Sequence, residues 1–379
     1  MLVVGGGPAG STTALRLARA GASVLLADKA SFPRDKPCGG GLTMRAVRAC
    51  PVDPTPVVEE FVDQVELRFR FRASVVRTAR APVVWMTQRR RLDAFLLDCA
   101  RDAGVEVREQ ARPELEPGST AFALAGERFE AQVVVGADGA NGVTGRHFDL
   151  GNDISHGVAY EGNIGYDRLA RDRYARRAVV ELAGIPGGYG WVFPKAEHAN
   201  VGVGAWQVEG PRIREHLARV CAAHGLEVSD LEELRGHRLP LRRPQTRIAA
   251  TRALVVGDAA GLVDPVSGDG MYECFVSSRL ASEAIVDLLA GRRATLEGYA
   301  EAVTAELGAL HRASWKLAWA LHRWPRTSWR LARSALAWRA VERLLAGEIA
   351  APGEADPAAQ IPLRALAYLG RQFARADRT

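Results

Sequence analysis

Two glycine-rich segments constrain this chain more than any other feature. The first is Val3-Val4-Gly5-Gly6-Gly7-Pro8-Ala9-Gly10, and the second is Val255-Val256-Gly257-Asp258-Ala259-Ala260-Gly261 followed by Asp264-Pro265-Val266-Ser267-Gly268-Asp269-Gly270. The first fits G-x-G-x-x-G at Gly5, Gly7 and Gly10, between an apolar run and a helical pattern at Ala14, Leu15, Leu17 and Ala18. In that setting a tight turn seats a pyrophosphate on a helix N-terminus. Asp28 ends the next apolar run, Ser23 to Ala27, at the distance where an acidic residue holds a ribose hydroxyl. Alone, this turn does not separate one dinucleotide from another. A late return as strand-Gly-Asp-Ala-Ala-Gly is the pattern of a chain that touches one long cofactor at both ends, and it favours FAD over NAD.

The chain of 379 residues is too long for one simple core and is expected to form two or three packed units. Its 47% hydrophobic and 25% charged residues read as globular. No window supplies the roughly 20 uninterrupted apolar residues of a membrane span, and no signal peptide precedes the glycine turn. Only Met1 to Val4 stand ahead of that turn, so a start several residues upstream is expected. The five cysteines are odd in number and lack CxxC spacing, which argues against disulfides and structural zinc and for a reducing cytoplasm. No metal site is expected. Of the 50 basic residues only Lys29, Lys36, Lys195 and Lys316 are lysines, a bias that high genomic GC content accounts for. The net charge of +6 is local: residues 311–341 hold seven Arg or Lys and no acid, and the remainder is slightly acidic. A nucleic-acid partner is therefore not expected.

Strand-like alternation at Val62, Val65, Leu67, Phe69 and Phe71 is followed by a helical pattern at Leu92, Phe95, Leu96, Cys99 and Ala100. Gln132 to Gly136 reads as a buried strand. Residues 155–208 read as strands, 211–223 as a helix, and 271 to about 345 as helical with a break at Pro325. The expected architecture is α/β: a Rossmann-like FAD-binding domain, an inserted strand-rich substrate domain and a helical C-terminal cap. The FAD-binding parts are 1–58, 88–150 and 251–300, the substrate-domain parts 59–87 and 151–250, and the helical C-terminal region 301–379.

With Gly136-Ala137-Asp138-Gly139 between them, the two glycine segments resemble the FAD enzymes of the p-hydroxybenzoate hydroxylase fold. Phe32-Pro33-Arg34-Asp35-Lys36-Pro37-Cys38-Gly39-Gly40-Gly41-Leu42 and Tyr189-Gly190-Trp191-Val192-Phe193-Pro194 make the chain similar, more specifically, to the geranylgeranyl reductase family. The resemblance runs from residue 1 to about residue 300 and implies FAD and alkene reduction on an isoprenoid chain carried by a diphosphate, lipid, quinone or chlorophyll precursor. It implies roles for residues at matching positions. Gly5, Gly7, Pro8, Ala9, Gly10, Asp28 and Lys29 would hold the adenosine and pyrophosphate, and Arg89 the ribityl or phosphate region. Asp138 would mark the middle turn, where Asn141 replaces the usual serine. Gly257 and Asp258 would meet the ribityl chain, and Gly268, Gly270 and Met271 the N1/C2 edge of the flavin at a helix start.

Cys38, Gly39 and Gly40 would lie beside the isoalloxazine, with Cys38 either donating a proton, shaping the cavity or simply packing. Tyr189, Trp191 and Phe193 share one face of a strand; they would wall an apolar cavity or serve as ordinary sheet core. Cys38, Tyr189 and Trp191 are the candidate catalytic residues. With no second dinucleotide fingerprint, NAD(P)H would bind transiently as reductant or be replaced by a reduced electron-carrier protein. A flavin monooxygenase or halogenase of the same fold, acting on a small aromatic metabolite, is the alternative. Trp315, Trp319, Trp324, Trp329 and Trp338 in the acid-free stretch raise peripheral association with an anionic membrane surface, set against a cap with buried tryptophans.

Overall fold

The computed structural model describes residues 1–361 apart from 117 and 359. The end of the expected helical C-terminal region, 362–379, lies outside the described residues. A five-stranded parallel sheet runs in the order Ala253–Val255, Val134–Gly136, Leu2–Val4, Leu25–Ala27, Glu106–Arg108. The strand Leu2–Val4 lies between Leu25–Ala27, its near neighbour in sequence, and Val134–Gly136, which pairs in turn with Ala253–Val255, so distant parts of the chain meet in one sheet. The strands are short and almost wholly apolar because both faces are covered. The helices Pro8–Arg19, Arg89–Asp102 and Met271–Leu289 pack together beside it. Thr12 Oγ1 donates to Ser278 Oγ at 2.9 Å across that packing, and Tyr299 Oη donates to Val255 O at 3.1 Å. The chain leaves three adjacent strands, Leu2–Val4, Val134–Gly136 and Ala253–Val255, at Gly5, Ala137 and Val256. All three glycine segments therefore converge on the carboxyl edge of one sheet, where ligands bind in open parallel sheets.

The second layer is a seven-stranded sheet ordered Glu232–Arg242, Ile154–Gly165, His198–Trp206, Tyr189–Pro194, Arg177–Leu182, Gln64–Phe69, Ala73–Thr78. Only the pair Arg177–Leu182 with Gln64–Phe69 is parallel. The helix Ile213–Ala223 covers one face through Leu217, Val220 and Cys221. Opposite, Gly202 pairs in register with both Trp191 and Glu161. A Cβ at Gly202 would stand 2.2 Å from the Trp191 ring and 2.8 Å from Glu161 Cβ, so this glycine is what lets the two larger side chains share the face. A small sheet of Gly41–Thr43, Val84–Met86 and Glu60–Val62 ties the Cys38 turn to the body.

The helices Gly298–Arg323, Pro325–Ala332 and Ala335–Leu345 form the cap, and the break falls at Pro325, which takes the first position of its helix because it lacks an N–H. Among the described residues, no helix is long and apolar enough to cross a membrane. The tryptophans of the acid-free stretch divide. Trp338 is buried with Val65 and Val83, Trp329 stacks on Phe69 at 5.3 Å, and Trp319 meets Trp206 at 4.8 Å. Trp324 stays 37% exposed with Arg323 over its ring. Trp319, Trp329 and Trp338 are therefore spent on internal packing, and Trp315 is half-buried. The strands Glu114–Leu115, Ala121–Leu124, Glu127–Glu130 and Glu232–Arg242 are additional to those expected.

Candidate active site

The carboxyl edge of the parallel sheet opens into a cavity of about 1590 Å³ that runs on beneath the second sheet to the C-terminal helices. Its first end is built from the glycine turns. Gly5 has φ +108°, and a Cβ there would lie 2.4 Å from Ala137 O. A Cβ at Gly10 would stand 1.9 Å from Gly5 O, so helix and turn touch only because both are glycine. Gly7, the residue before the helix Pro8–Arg19, accepts no side-chain cap, and no acid lies in the first turn. With Pro8 and Ala9 it lines the cavity, so the positive end of a twelve-residue helix faces the space an anion would fill. Asp28, nearly buried, accepts from Gly6 N at 2.6 Å and from Ala30 N at 2.8 Å; it braces the turn it was expected to serve. Lys29 is exposed at the rim.

Arg89 opens its helix buried, while Arg90 and Arg91 are exposed. It holds Asp93 with two bonds of 2.6 and 2.7 Å, and Arg34 reaches the same carboxylate at 3.1 Å. Burial works against the Arg89 charge, but Asp93 outweighs it and keeps the guanidinium protonated. A Cβ at Gly7 would lie 3.4 Å from Arg34 Nη2 and 3.8 Å from Arg89 Nη2. Two guanidiniums thus flank the phosphate turn, a donor set suited to pyrophosphate. Arg34 was not singled out from the sequence.

Asp138 lies in the middle turn and lines the cavity. Its Oδ2 accepts from Val143 N, Thr144 N and Thr144 Oγ1 at 2.8 to 2.9 Å, so the side chain pins the 139–143 loop that lines the cavity. Asp258 faces the cavity middle and pairs with Lys36 Nζ at 2.8 Å and His237 at 3.7 Å. Burial raises its pKa, yet the Lys36 ammonium and the His237 contact prevail and hold the carboxyl well below the usual carboxylate range. Beyond Gly257, the loop through Gly268 and Gly270 runs into the helix Met271–Leu289. Asp269 Oδ1 takes Met271 N at 2.8 Å, so the helix end is capped from within the cavity wall, not at the surface. Met271 itself packs on Leu42, Leu92 and Phe275.

Cys38, Gly39 and Gly40 form the next wall. Gly40 has φ +72°, and a Cβ would meet Thr87 O at 2.0 Å and Lys195 Nζ at 2.3 Å. Lys195 is buried and donates to Gly39 O at 2.5 Å and Thr87 O at 2.9 Å, clamping the turn; burial pulls its pKa down to about 8. Cys38 N donates to Glu161 Oε1 at 2.5 Å, and Cys38 Sγ accepts from Gly40 N at 3.4 Å. Burial pushes the Cys38 thiol up, and pushes the Glu161 carboxyl up to about 7. Neither Glu161 nor Lys195 stood out in the sequence. Each reads there as an ordinary polar residue of a strand or strand end, and its partner is over a hundred positions away.

Tyr189, Trp191 and Phe193 line the cavity in a row, with centroids 5.8 and 6.1 Å apart. Trp191 Nε1 donates to Asn200 Oδ1 at 2.7 Å, and Tyr189 Oη donates to Ser267 O. A Cβ at Gly39 would strike Phe193 at 2.8 Å, so the cysteine turn packs against this row. The far end is apolar, walled by Val65, Val84, Ala178, Val180, Ala318 and Leu321.

The FAD binding domain family model matches residues 1–293. A geranylgeranyl diphosphate reductase of Synechocystis sp. is 32% identical over 315 residues, which cover 75% of this chain and 74% of that protein. A geranylgeranyl bacteriochlorophyll reductase-like structure from Thermoplasma acidophilum matches with a TM-score of 0.77 at 22% identity, covering 99% of this chain and 98% of that one. A flavin-dependent brominase matches at 0.76 and 19% identity, over 98% of each chain. The structural likenesses establish the fold, and the cofactor the turns accommodate is FAD. By the family model and the extent of its sequence identity, the chain belongs to the geranylgeranyl reductase family of FAD-dependent oxidoreductases.

Proposed function

We propose that this chain is a reductase that saturates carbon–carbon double bonds of a geranylgeranyl-type chain carried on a diphosphate, lipid, quinone or chlorophyll precursor. The observation that carries the reading is the single cavity: one end is shaped for a dinucleotide, and the other is an apolar slot under Trp191 and the C-terminal helices. When bound and reduced, FAD supplies hydride to one alkene carbon. The protein's part is to hold the reactants in line and keep water away. The helix start at Pro8, with Arg34 and Arg89, binds the pyrophosphate; the Ser267–Gly270 loop and Tyr189 set the flavin end. The slot walls orient the prenyl chain past the Cys38 turn.

The electron donor in this reading is NAD(P)H, binding transiently, or a reduced electron-carrier protein. We also infer that the basic C-terminal face rests on anionic membrane, which would present a lipid-borne chain to the slot. The decisive experiment uses holoenzyme reduced chemically and kept anaerobic with a geranylgeranyl substrate. Products heavier by one H₂ per bond are expected by mass spectrometry. Turnover that requires oxygen and adds an oxygen atom or halogen would overturn the reading in favour of a monooxygenase or halogenase.

A further inference from the structure

Alkene saturation needs a proton as well as a hydride, and the slot offers few sources. Of the titratable groups that line the cavity, Lys36, His237 and Asp258 pair with one another, and Cys38, Glu161 and Tyr189 stand by the aromatic row. The Tyr189 hydroxyl is already committed to Ser267 O, and burial raises its pKa. The Cys38 thiol, also raised by burial, already accepts from Gly40 N within its own turn. Glu161 differs in position. Its side chain shares the cavity face with Trp191 across Gly202, its Oε1 accepts from Cys38 N, and together with Cys38 it borders a second, polar cavity of about 30 Å³. At ~10–15 Å³ per water that space accommodates a water or two.

We propose that Glu161 is the acid that protonates the alkene carbon opposite the one receiving hydride, and that its proton is replenished from solvent through the polar cavity that it borders with Cys38. This rests on the reductase reading above. In the step, the C=C π bond breaks and two C–H bonds form, one from hydride of the reduced cofactor and one from the Glu161 carboxylic acid. The cofactor is oxidised by two electrons, and Glu161 is left as a carboxylate.

The surroundings suit that cycle. From the cysteine loop, Asp35 and Lys36 face the polar cavity beside Cys38; from the helix start, Arg89 does. From the strands come Lys195, His198, Glu233 and Arg235. Arg235 pairs with Asp35 at the exposed rim, which gives the cavity its solvent side. Lys195 and Asn200 act against the upward push of burial on Glu161, and Asp35 adds to it. The result is a carboxyl that carries a proton near neutrality and loses it above about pH 7.

The test compares wild type, Glu161→Gln and Glu161→Asp as reduced holoenzymes under anaerobic single turnover with geranylgeranyl diphosphate. Glu161→Gln keeps an oxygen for Cys38 N, so bound FAD is expected to be unchanged. Its rate should fall on the order of 10²-fold or more, the usual reach of a general acid, and the wild-type decline above about pH 7 should vanish. Glu161→Asp should be slow but keep that decline, and it decides the matter if Glu161→Gln fails to fold. Independently of turnover, the infrared difference between ligand-free wild type and Glu161→Gln should contain a carboxylic C=O band that titrates near neutrality. A wild-type rate and pH profile in Glu161→Gln, or no such band, would overturn the donor role alone. A wild type inert toward every prenyl substrate would overturn the parent reading and the donor role together.

Discussion

At the scale of single residues, the glycine turns make the sharpest prediction. Gly10→Val would drive a branched side chain into Gly5 O, already only 1.9 Å from an ideal Cβ. The purified variant should be colourless, whereas the wild type should be yellow and release FAD on heating; equal flavin absorbance in both would contradict the assigned turn. Trp191→Ala is expected to do the reverse. It enlarges the slot and leaves the phosphate turn intact, so FAD content should hold while prenyl reduction drops by at least about tenfold, or ~1.4 kcal/mol of transition-state positioning. The glycines, Asp28 and Arg89 were legible in the sequence because their demands are local: a positive φ, a close approach, a helix start. Arg34, Lys36, Glu161 and Lys195 were not, because each acquires its meaning from a distant partner. Glu161 meets Cys38 across 123 positions, and Lys36 meets Asp258 across 222. Asp138 was legible as a turn but not as to direction, since only the folded loop shows its carboxylate turned toward Thr144.

At the scale of elements, the helix Met271–Leu289 combines two tasks. Its start lines the cavity, and within its first turn it buries Glu273 completely. The Glu273 oxygens lack hydrogen-bond partners, with Arg45 at 4.0 Å and His311 at 3.7 Å. Burial pushes this carboxyl from 4.5 up to about 7 against the pull of His311 and Arg45. A pKa raised by folding contributes stability that is fully present below 4.5 and is lost as pH rises through 7. Thermal unfolding of wild type should therefore shift downward across that interval more steeply than that of Glu273→Gln. Parallel curves would show that Glu273 titrates normally. Strands with clean alternation, such as Gln64–Phe69, were readable ahead of the structure because one face is buried. Glu232–Arg242 was not: it is a sheet edge whose first half is exposed and charged, the composition that protects edges from pairing and erases the apolar signal.

At the scale of the whole molecule, the slot and the basic face meet. Ala318, Leu321 and His322 wall the far end of the cavity from the same helix that enters the acid-free stretch. Beyond its end, Trp324 is exposed, and Arg326, Arg330, Arg333 and Arg339 are all on the surface. Sequence alone placed five tryptophans here, with Trp315 and Trp319 beside Arg312, Lys316 and Arg323 on one helix face. Packing against Phe69, Trp206 and Val65 withdraws Trp329, Trp319 and Trp338 from any such role, which periodicity within one helix could not reveal because the contacts lie on distant strands. What is left is the exposed ring of Trp324, with the half-buried Trp315, within a cationic surface. Such a patch should hold to a bilayer mainly by charge, at about 1 kcal/mol per arginine near an anionic surface, and be released by salt. The protein is accordingly expected to sediment with anionic liposomes, to ignore neutral ones, and to dissociate as ionic strength rises. Replacing Arg326, Arg330 and Arg333 with glutamine should abolish sedimentation, and Trp324→Ala should weaken it, while Trp338→Ala should lower stability without a specific loss of binding. Because these side chains lie outside the cavity, activity toward a detergent-dispersed prenyl substrate should survive the triple replacement while activity toward the same substrate in anionic vesicles falls. Absence of sedimentation at low salt, or loss of both activities together, would contradict a membrane-facing cap.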